Sequence, residues 1–422
     1  MPGRYVLPLV GVLVLASCDD DKQVTDDTGV TPDVHIAGDV GDGAVPDAPA
    51  GEGLLPDLGP DFGSRNEWLT VQDPAPEVAD HTVTLLKNGD VLIAGGTHSD
   101  GSNDNYQDKA YRFVPGTEMF EAAGTMTVER GEHVAALLDD GRVLVAGGKN
   151  DQDYLKSAEI FDPSKPAAQA WSAVPDMFKH RWGHTATTLN NGEVLIAGGF
   201  YSNDSSDTIV LFDPVNNNWK QPSAIFNEAR RGHTATLLAN GKVLFAGGIQ
   251  GSGSLWTTTY LDSIEIFDPT SGKMTLSKAV MSKQRTGHSA TLLPSGKVLI
   301  VGGVCLNNCK ATAKQVDDIY DPATDTISPL AHAGDLPSTH VAVLLKDGRV
   351  LVAGDVDETT YNMVLAYDPK GGGFWSTLPS LAIGRWSAGG TILNDGTVLV
   401  VGGVTSANPT YTHANRAERY YP

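Results

Sequence analysis

Six histidines stand at near-constant intervals along the 422 residues: His81, His133, His184, His233, His288 and His340. Imidazole is a common metal ligand, so a shared metal ring is the first chemistry to weigh. Geometry argues against it. Equivalent positions on packed neighbouring sheets lie roughly 10 Å apart, whereas a shared zinc needs each ring nitrogen about 2 Å from the ion. One residue type repeated in nearly every unit fits a structural hydrogen bond within or between units, and no metal is expected.

A second series is basic. Arg130, Arg181, Arg230 and Arg285 each stand three residues before one of these histidines, with Arg231 and Arg385 nearby. Two readings are open. The guanidinium groups could encircle one mouth of a central channel and hold an acidic peptide or glycan carboxylates by bidentate contacts. Alternatively, they brace neighbouring units by pairing with acidic or carbonyl groups. The ligand reading adds the long loops His98 to Tyr106, Trp256 to Tyr260 and Tyr411 to His413, where aromatics such as Trp256 and Tyr411 suit sugars or peptides. Cys305 and Cys309 share another loop, and a local disulfide is expected between them if the chain is exported. No set of residues forms a complete catalytic constellation, so no catalytic residue and no cofactor is assigned.

The elements that position these residues are repeats. HTVTLLKNGDVLIAGG from His81 recurs as HVAALLDDGRVLVAGG, HTATTLNNGEVLIAGG, HTATLLANGKVLFAGG, HSATLLPSGKVLIVGG, HVAVLLKDGRVLVAGD and, from Ser387, SAGGTILNDGTVLVVGG. The period is about fifty residues, that of propeller blades. Within each unit an Asn-Gly, Asp-Gly or Ser-Gly pair, as at Asn88-Gly89 and Asp140-Gly141, predicts a two-residue primed hairpin between two strands. The second strand is wholly apolar, as when both faces pack on neighbours. A variable loop then leads to a third strand ending in an aromatic-Asp-Pro turn such as Phe161-Asp162-Pro163. A fourth strand carries Phe120, Trp171, Trp219, Met274, Ile327 or Trp375. The last unit stops at Tyr420-Tyr421-Pro422 without a fourth strand, and Trp68 stands at the matching distance before His81. The expected fold is therefore all-β: a seven-bladed β-propeller of four-stranded antiparallel blades, closed by an N-terminal strand completing the last blade.

These units resemble the kelch motifs of the galactose oxidase and kelch superfamily over about residues 65–422. The resemblance implies a propeller; by itself it does not imply an activity. Members that oxidise alcohols hold copper with two His and two Tyr, one pair being Tyr followed directly by an opening His. Here the residues before the opening histidines are Asp80, Glu132, Gly183, Gly232, Gly287 and Thr339, none of them Tyr. The sequence also ends with the last blade, leaving no segment for the family's further C-terminal domain, which supplies another His. Copper-radical chemistry is therefore not expected.

The first residues address a different question. Val6 to Ala16 form an apolar run too short to span a bilayer but suited to a signal-peptide core. Leu15-Ala16-Ser17-Cys18 resembles the lipobox of bacterial lipoproteins, which implies acylation at Cys18. Residues 1–17 are thus read as signal, 18–64 as an acidic disordered tether and 65–422 as the propeller. Residues 19–64 carry twelve acidic side chains against Lys22 alone, about half of the net charge of −21. Such a segment cannot bury enough apolar surface to offset its ordering entropy. The charge also argues against nucleic acid as a partner. The expectation is an exported propeller in the bacterial cell envelope, at the outer membrane or cell surface rather than the inner membrane. It would meet the membrane only through its lipid, stay monomeric, and bind an envelope or extracellular protein or glycan, including acidic ones. The alternative is a carbohydrate-active enzyme, a lyase, epimerase or oxidase-like protein, with its site at the propeller mouth.

Overall fold

The Gly pairs do close a hairpin in every repeat, but not by the two-residue primed turn expected. The Leu86 N–H donates to the Asp90 carbonyl and the Gly89 N–H to the Leu86 carbonyl, leaving three residues in the loop. The same two bonds recur from Leu138, Leu189, Leu238, Leu293, Leu345 and Leu393. Of the loop residues only the Gly has a positive φ, 93° at Gly89, whereas a type I′ turn needs it at both central positions. Asn or Asp before the Gly has its own role. Its side-chain oxygen accepts the N–H two residues on, at 3.1 Å from Asp90 to Asn88 and 3.0 Å from Arg142 to Asp140.

The computed structural model describes residues 65–71, 73–99, 104–201, 204–252, 258–305, 316–331, 338–354, 362–407 and 410–422. The signal segment 1–17, Cys18 and the tether 18–64 lie outside the described residues. Seven four-stranded antiparallel sheets form the blades. In the first, Thr82–Leu85, Val91–Ala94, Lys109–Val114 and Met119–Thr125 pair in chain order. Five blades repeat that order. The seventh takes Gly389–Ile392, Val398–Val401 and Glu418–Tyr421 from the end of the chain and Glu67–Thr70 from its beginning. Trp68 sits opposite Tyr420, as the spacing predicts. The first strands touch one another around a full circle, seventh against first, which closes the ring at seven.

Packing follows from the apolar second strands. Val91 to Ala94 are all 1% exposed or less, because each sheet is covered on both faces by its neighbours. One core cluster joins Val91, Ile93 and Phe113 of the first blade to Leu393, Leu399 and Val401 of the seventh, so closure also buries apolar surface. Toward the rim, the aromatic that ends the third strand faces the large residue of the fourth in every blade. Phe161 faces Trp171, Phe212 faces Trp219 and Tyr367 faces Trp375.

Two details differ from the sequence reading. In the seventh repeat Ser387 is not at the opening position. It has the left-handed φ of the residues that precede the histidines, and Ala388 lies against Gly403 as His81 lies against Gly96. The connections read as variable loops are partly ordered. Thr97–Ser99 pairs with Asp104–Tyr106, Phe200–Tyr201 with Asp204–Ser205, Ile249–Gln250 with Thr259–Tyr260, and Val404–Ala407 with Thr410–His413. All four follow second strands and so crown the face opposite the Gly turns.

Candidate functional site

Six arginines were candidates for a cationic ring, and the structure buries all six, Arg231 being 2% exposed. Arg130, Arg181, Arg230, Arg285 and Arg385 are 1% exposed or less. Arg130 donates to the Gly147 carbonyl at 2.8 Å and to Glu159 at 3.0 Å. Arg230 reaches Gly247 and Glu265, Arg285 reaches Gly302 and Asp318, and Arg385 reaches Gly402 and Glu418, all between 2.7 and 3.0 Å. The carbonyls of Arg130, Arg181, Arg230 and Arg285 accept the N–H of a Gly in the preceding blade, as Gly96 to Arg130. Arg130, Arg181, Arg230 and Arg285 thus tie blades together through direct hydrogen bonds, and neither their buried guanidinium groups nor that of Arg385 line a mouth. Arg181 differs: Val210 holds the place of the acid, and its partners are the Gly198 and Thr208 carbonyls and the Thr208 hydroxyl. Burial lowers its pKa to about 10.

The histidines bond between blades as well. His133 Nε2 meets the Thr82 hydroxyl at 3.0 Å, His233 meets Thr185, His288 meets Thr234, and His340 meets Ser289. His184 and His81 find no such hydroxyl because Val134 and Gly389 stand in its place. Burial drives these rings toward the neutral form. His81 falls to about 4, with His413 adding to the shift, and His184 to about 3, with Arg181 adding.

The crown face near the axis carries a different chemistry. Between each arginine segment and opening position stands one residue in the left-handed region: Asp80, Glu132, Gly183, Gly232, Gly287, Thr339 and Ser387, with φ from 50° to 67°. Backbone bonds link them from blade to blade, Glu132 to Asp80 at 3.0 Å, Gly232 to Gly183 at 2.8 Å and Thr339 to Gly287 at 2.9 Å. For a non-Gly residue that backbone costs roughly 1–2 kcal/mol, and Thr339 is β-branched besides. Such strain concentrates at sites of function. In blades three to five this ring position is Gly, so no Cβ projects from it there.

Beside these glycines lies a row of alternating charged and aromatic side chains, with Trp182, Phe200 and Arg231 buried. Lys149 pairs with Glu132 at 2.6 Å and lies 4.8 Å from the Trp182 ring. Burial alone would lower the Lys149 pKa, but Glu132, Tyr106 and Asp80 outweigh it and hold it above its ordinary value. Burial pushes the nearby Tyr106 hydroxyl up to about 12, with Lys149 opposing. Trp182 and Phe200 are 5.5 Å apart, Tyr154 is 5.9 Å from each, and Arg231 lies 4.7 Å over Phe200. Isolated bridges fix the row: Gly131 pairs with Lys149, Trp182 with Phe200 and Arg231 with Ile249. The residue two before each His therefore joins the residue just after the Gly pair. Among the described residues no group of three or more His, Cys, Asp or Glu could hold a metal ion.

Of the residues named from sequence, Arg231 alone belongs to this row. Cys305 is disulfide-bonded, while its expected partner Cys309 lies outside the described residues. Trp256 lies outside them too, and of Tyr411 only its place in Thr410–His413 is described. Sequence reasoning missed Glu132, Lys149, Trp182 and Phe200. A pairing of the position two before each His with the position after Gly-Gly would have found the last three.

The chain spans less than half the length of the curated relatives it matches. It is 25% identical to Kelch-like protein 15 of Mus musculus over 255 residues, 57% of this chain and 41% of that protein. It is 24% identical to Alpha-scruin of Limulus polyphemus over 62% of this chain and 28% of that one. It is also 24% identical to a galactose oxidase of Gibberella zeae, over 69% and 47%. In structure it is similar to a fungal alcohol oxidase of the AA5 family in complex with copper, with a TM-score of 0.66 and 17% identity, covering 84% of this chain and 76% of that one; this likeness shows the fold. The model of the KLHDC2/KLHL20/DRC7 Kelch-repeats domain matches residues 80–303, just over half of the chain, and the chain belongs to that kelch-repeat family.

Proposed function

We propose that this propeller is a binding module displayed on a bacterial cell envelope, tethered through Cys18 and residues 18–64, which takes a protein or glycan ligand at the axial mouth of its crown face. The row from Glu132 and Lys149 through Trp182 and Phe200 to Arg231 carries the reading, because it sets cations against aromatic faces beside the strained backbone of Glu132 and the ring glycines Gly183 and Gly232. The opposite face holds an open cleft of about 600 Å³ lined by Asp139, Arg142, Glu193 and Asp213, without an aromatic among its lining residues. Aromatic surface with a polar handle is what recognition sites concentrate. The test is retention of glycans and envelope proteins by the full chain and by Trp182→Ala and Lys149→Ala. Each variant should lose at least tenfold in affinity when compared at a temperature where it remains folded; unchanged retention in both would remove the site.

A second reading rests on one contact. Glu132 and Lys149 pair within reach of the Tyr106 hydroxyl, an arrangement able to move a proton at a sugar carbon or oxygen. Product formation from a retained glycan, lost in Glu132→Gln, would establish an enzyme in place of a binding module.

A further inference from the structure

We propose that the crown between the third and fourth blades is a subsite for the carboxylate of an acidic sugar, a uronate unit within a glycan. This rests on the binding-module reading and names its ligand class. Arg231 is 2% exposed, and its Nη1 is pinned by the Ser205 hydroxyl at 2.8 Å and the Gly251 carbonyl at 2.7 Å. Its Nη2 is buried without a hydrogen-bond partner, and no carboxylate is within ion-pair distance among the described residues. That sets it apart from Arg130, Arg230, Arg285 and Arg385, each of which closes on an acid. Burial lowers its pKa only to about 10, so the charge persists at neutral pH. A buried guanidinium with a free N–H is an incomplete ion pair, and a carboxylate is the group that completes it.

A second donor is left over in the same row. The Trp182 Nε1–H is buried without a partner in a residue only 5% exposed, and its ring is one aromatic contact away from the Arg231 guanidinium through Phe200. The ring residues here are Gly183 and Gly232, and a side chain at Gly183 would meet the Arg231 Cβ at 3.6 Å. A side chain at Gly232 would meet the Thr286 hydroxyl at 2.5 Å, so the two glycines let Arg231 and Thr286 approach the ring backbone. The acceptors at the other end of the row favour a sugar over a polyacidic peptide. Glu132 and Asp80 would repel a run of carboxylates, whereas hydroxyls on a single uronate can donate to Glu132 and accept from Lys149.

The experiment is calorimetry on the full chain with trimers in which one galacturonate, glucuronate or mannuronate unit is flanked by neutral sugars, their methyl esters, and a glutamate-rich peptide. At least one acidic trimer should bind, its ester at least tenfold more weakly. Arg231→Lys, which keeps the charge but not the fork, and Trp182→Phe, which keeps an aromatic ring but not the N–H, should each weaken the acid by fivefold or more when compared at a temperature where the variant remains folded. Equal binding of acid and ester, with both lost in Trp182→Ala, would overturn the carboxylate subsite and leave the binding module standing. Tighter binding of the peptide, or wild-type affinity in both conservative variants, would overturn it as well. Failure of every trimer while another glycan or an envelope protein is retained would do the same. Failure of the wild type to retain any glycan or envelope protein would end both readings.

Discussion

Blade three and its neighbours follow one plan and differ at buried polar positions. In blades two, four, five and seven a buried arginine closes on Glu159, Glu265, Asp318 or Glu418. The acid in turn receives N–H groups of the incoming connection, as Glu265 does from Asn227 and Glu228. Blade three keeps the arginine but has Val210 where the acid would stand. It keeps His184 but faces Val134 where a neighbouring blade offers Thr. The same blade supplies Trp182 and Phe200 to the crown. A repeat held by redundant devices can omit some of them in one blade, and departures from local rules gather at sites of function.

The broadest way to test this plan is acid. His81, His133, His184, His233 and His288 are held neutral by burial, with folded pKa values below the unfolded value near 6.5. Below that pH the unfolded chain binds more protons than the folded one. Their contribution is thus complete above about pH 6.5 and is lost as pH falls, each ring costing up to about 1.4 kcal/mol per pH unit. Asp317 and Asp318 run the other way: burial raises both, Asp317 to about 6, so they stabilise as pH falls. Two groups against five leave a net loss in the urea midpoint between pH 6.5 and 4. A flat profile would break the account of the histidines as neutral interblade contacts.

A sharper probe compares arginines directly. Glu265→Ala strands a buried Arg230, and its expected cost is about 3–5 kcal/mol. Arg181→Met in blade three removes a cation that has no acid, and should cost less than about 1 kcal/mol or stabilise. Equal losses in chemical denaturation would mean that the missing acid makes no difference. The smallest effect comes from restoring a hydroxyl. Val134→Thr offers His184 the partner that Thr82 gives His133, and should add about 0.5–1.5 kcal/mol. No gain would place the His184 ring nitrogens elsewhere.

Much of the fold was legible because it is written in local chemistry repeated seven times. The Gly turns, apolar second strands and aromatic-Asp-Pro turns each impose their element on a short stretch of chain. Ring closure was legible for the same reason, since Trp68 keeps the distance to His81 that Trp171 keeps to His184. The turn type was not, because Asn-Gly serves both a primed turn and a three-residue loop, and only backbone angles separate them. Nor was the seventh opening position, where no His marks the register.

The sequence alone thus determined the blade, its count and its closure, since these depend on patterns within about fifty residues. Tertiary structure decided which polar groups are braces and which are left over. Arg230 and Arg231 are adjacent in the chain and equally buried, yet one closes on Glu265 in its own blade and the other lies over Phe200 of the preceding one. Whether a buried charge is spent or available depends on the group it meets in space, within its own blade for Arg230 and across the blade boundary for Arg231, and residue order does not encode that contact.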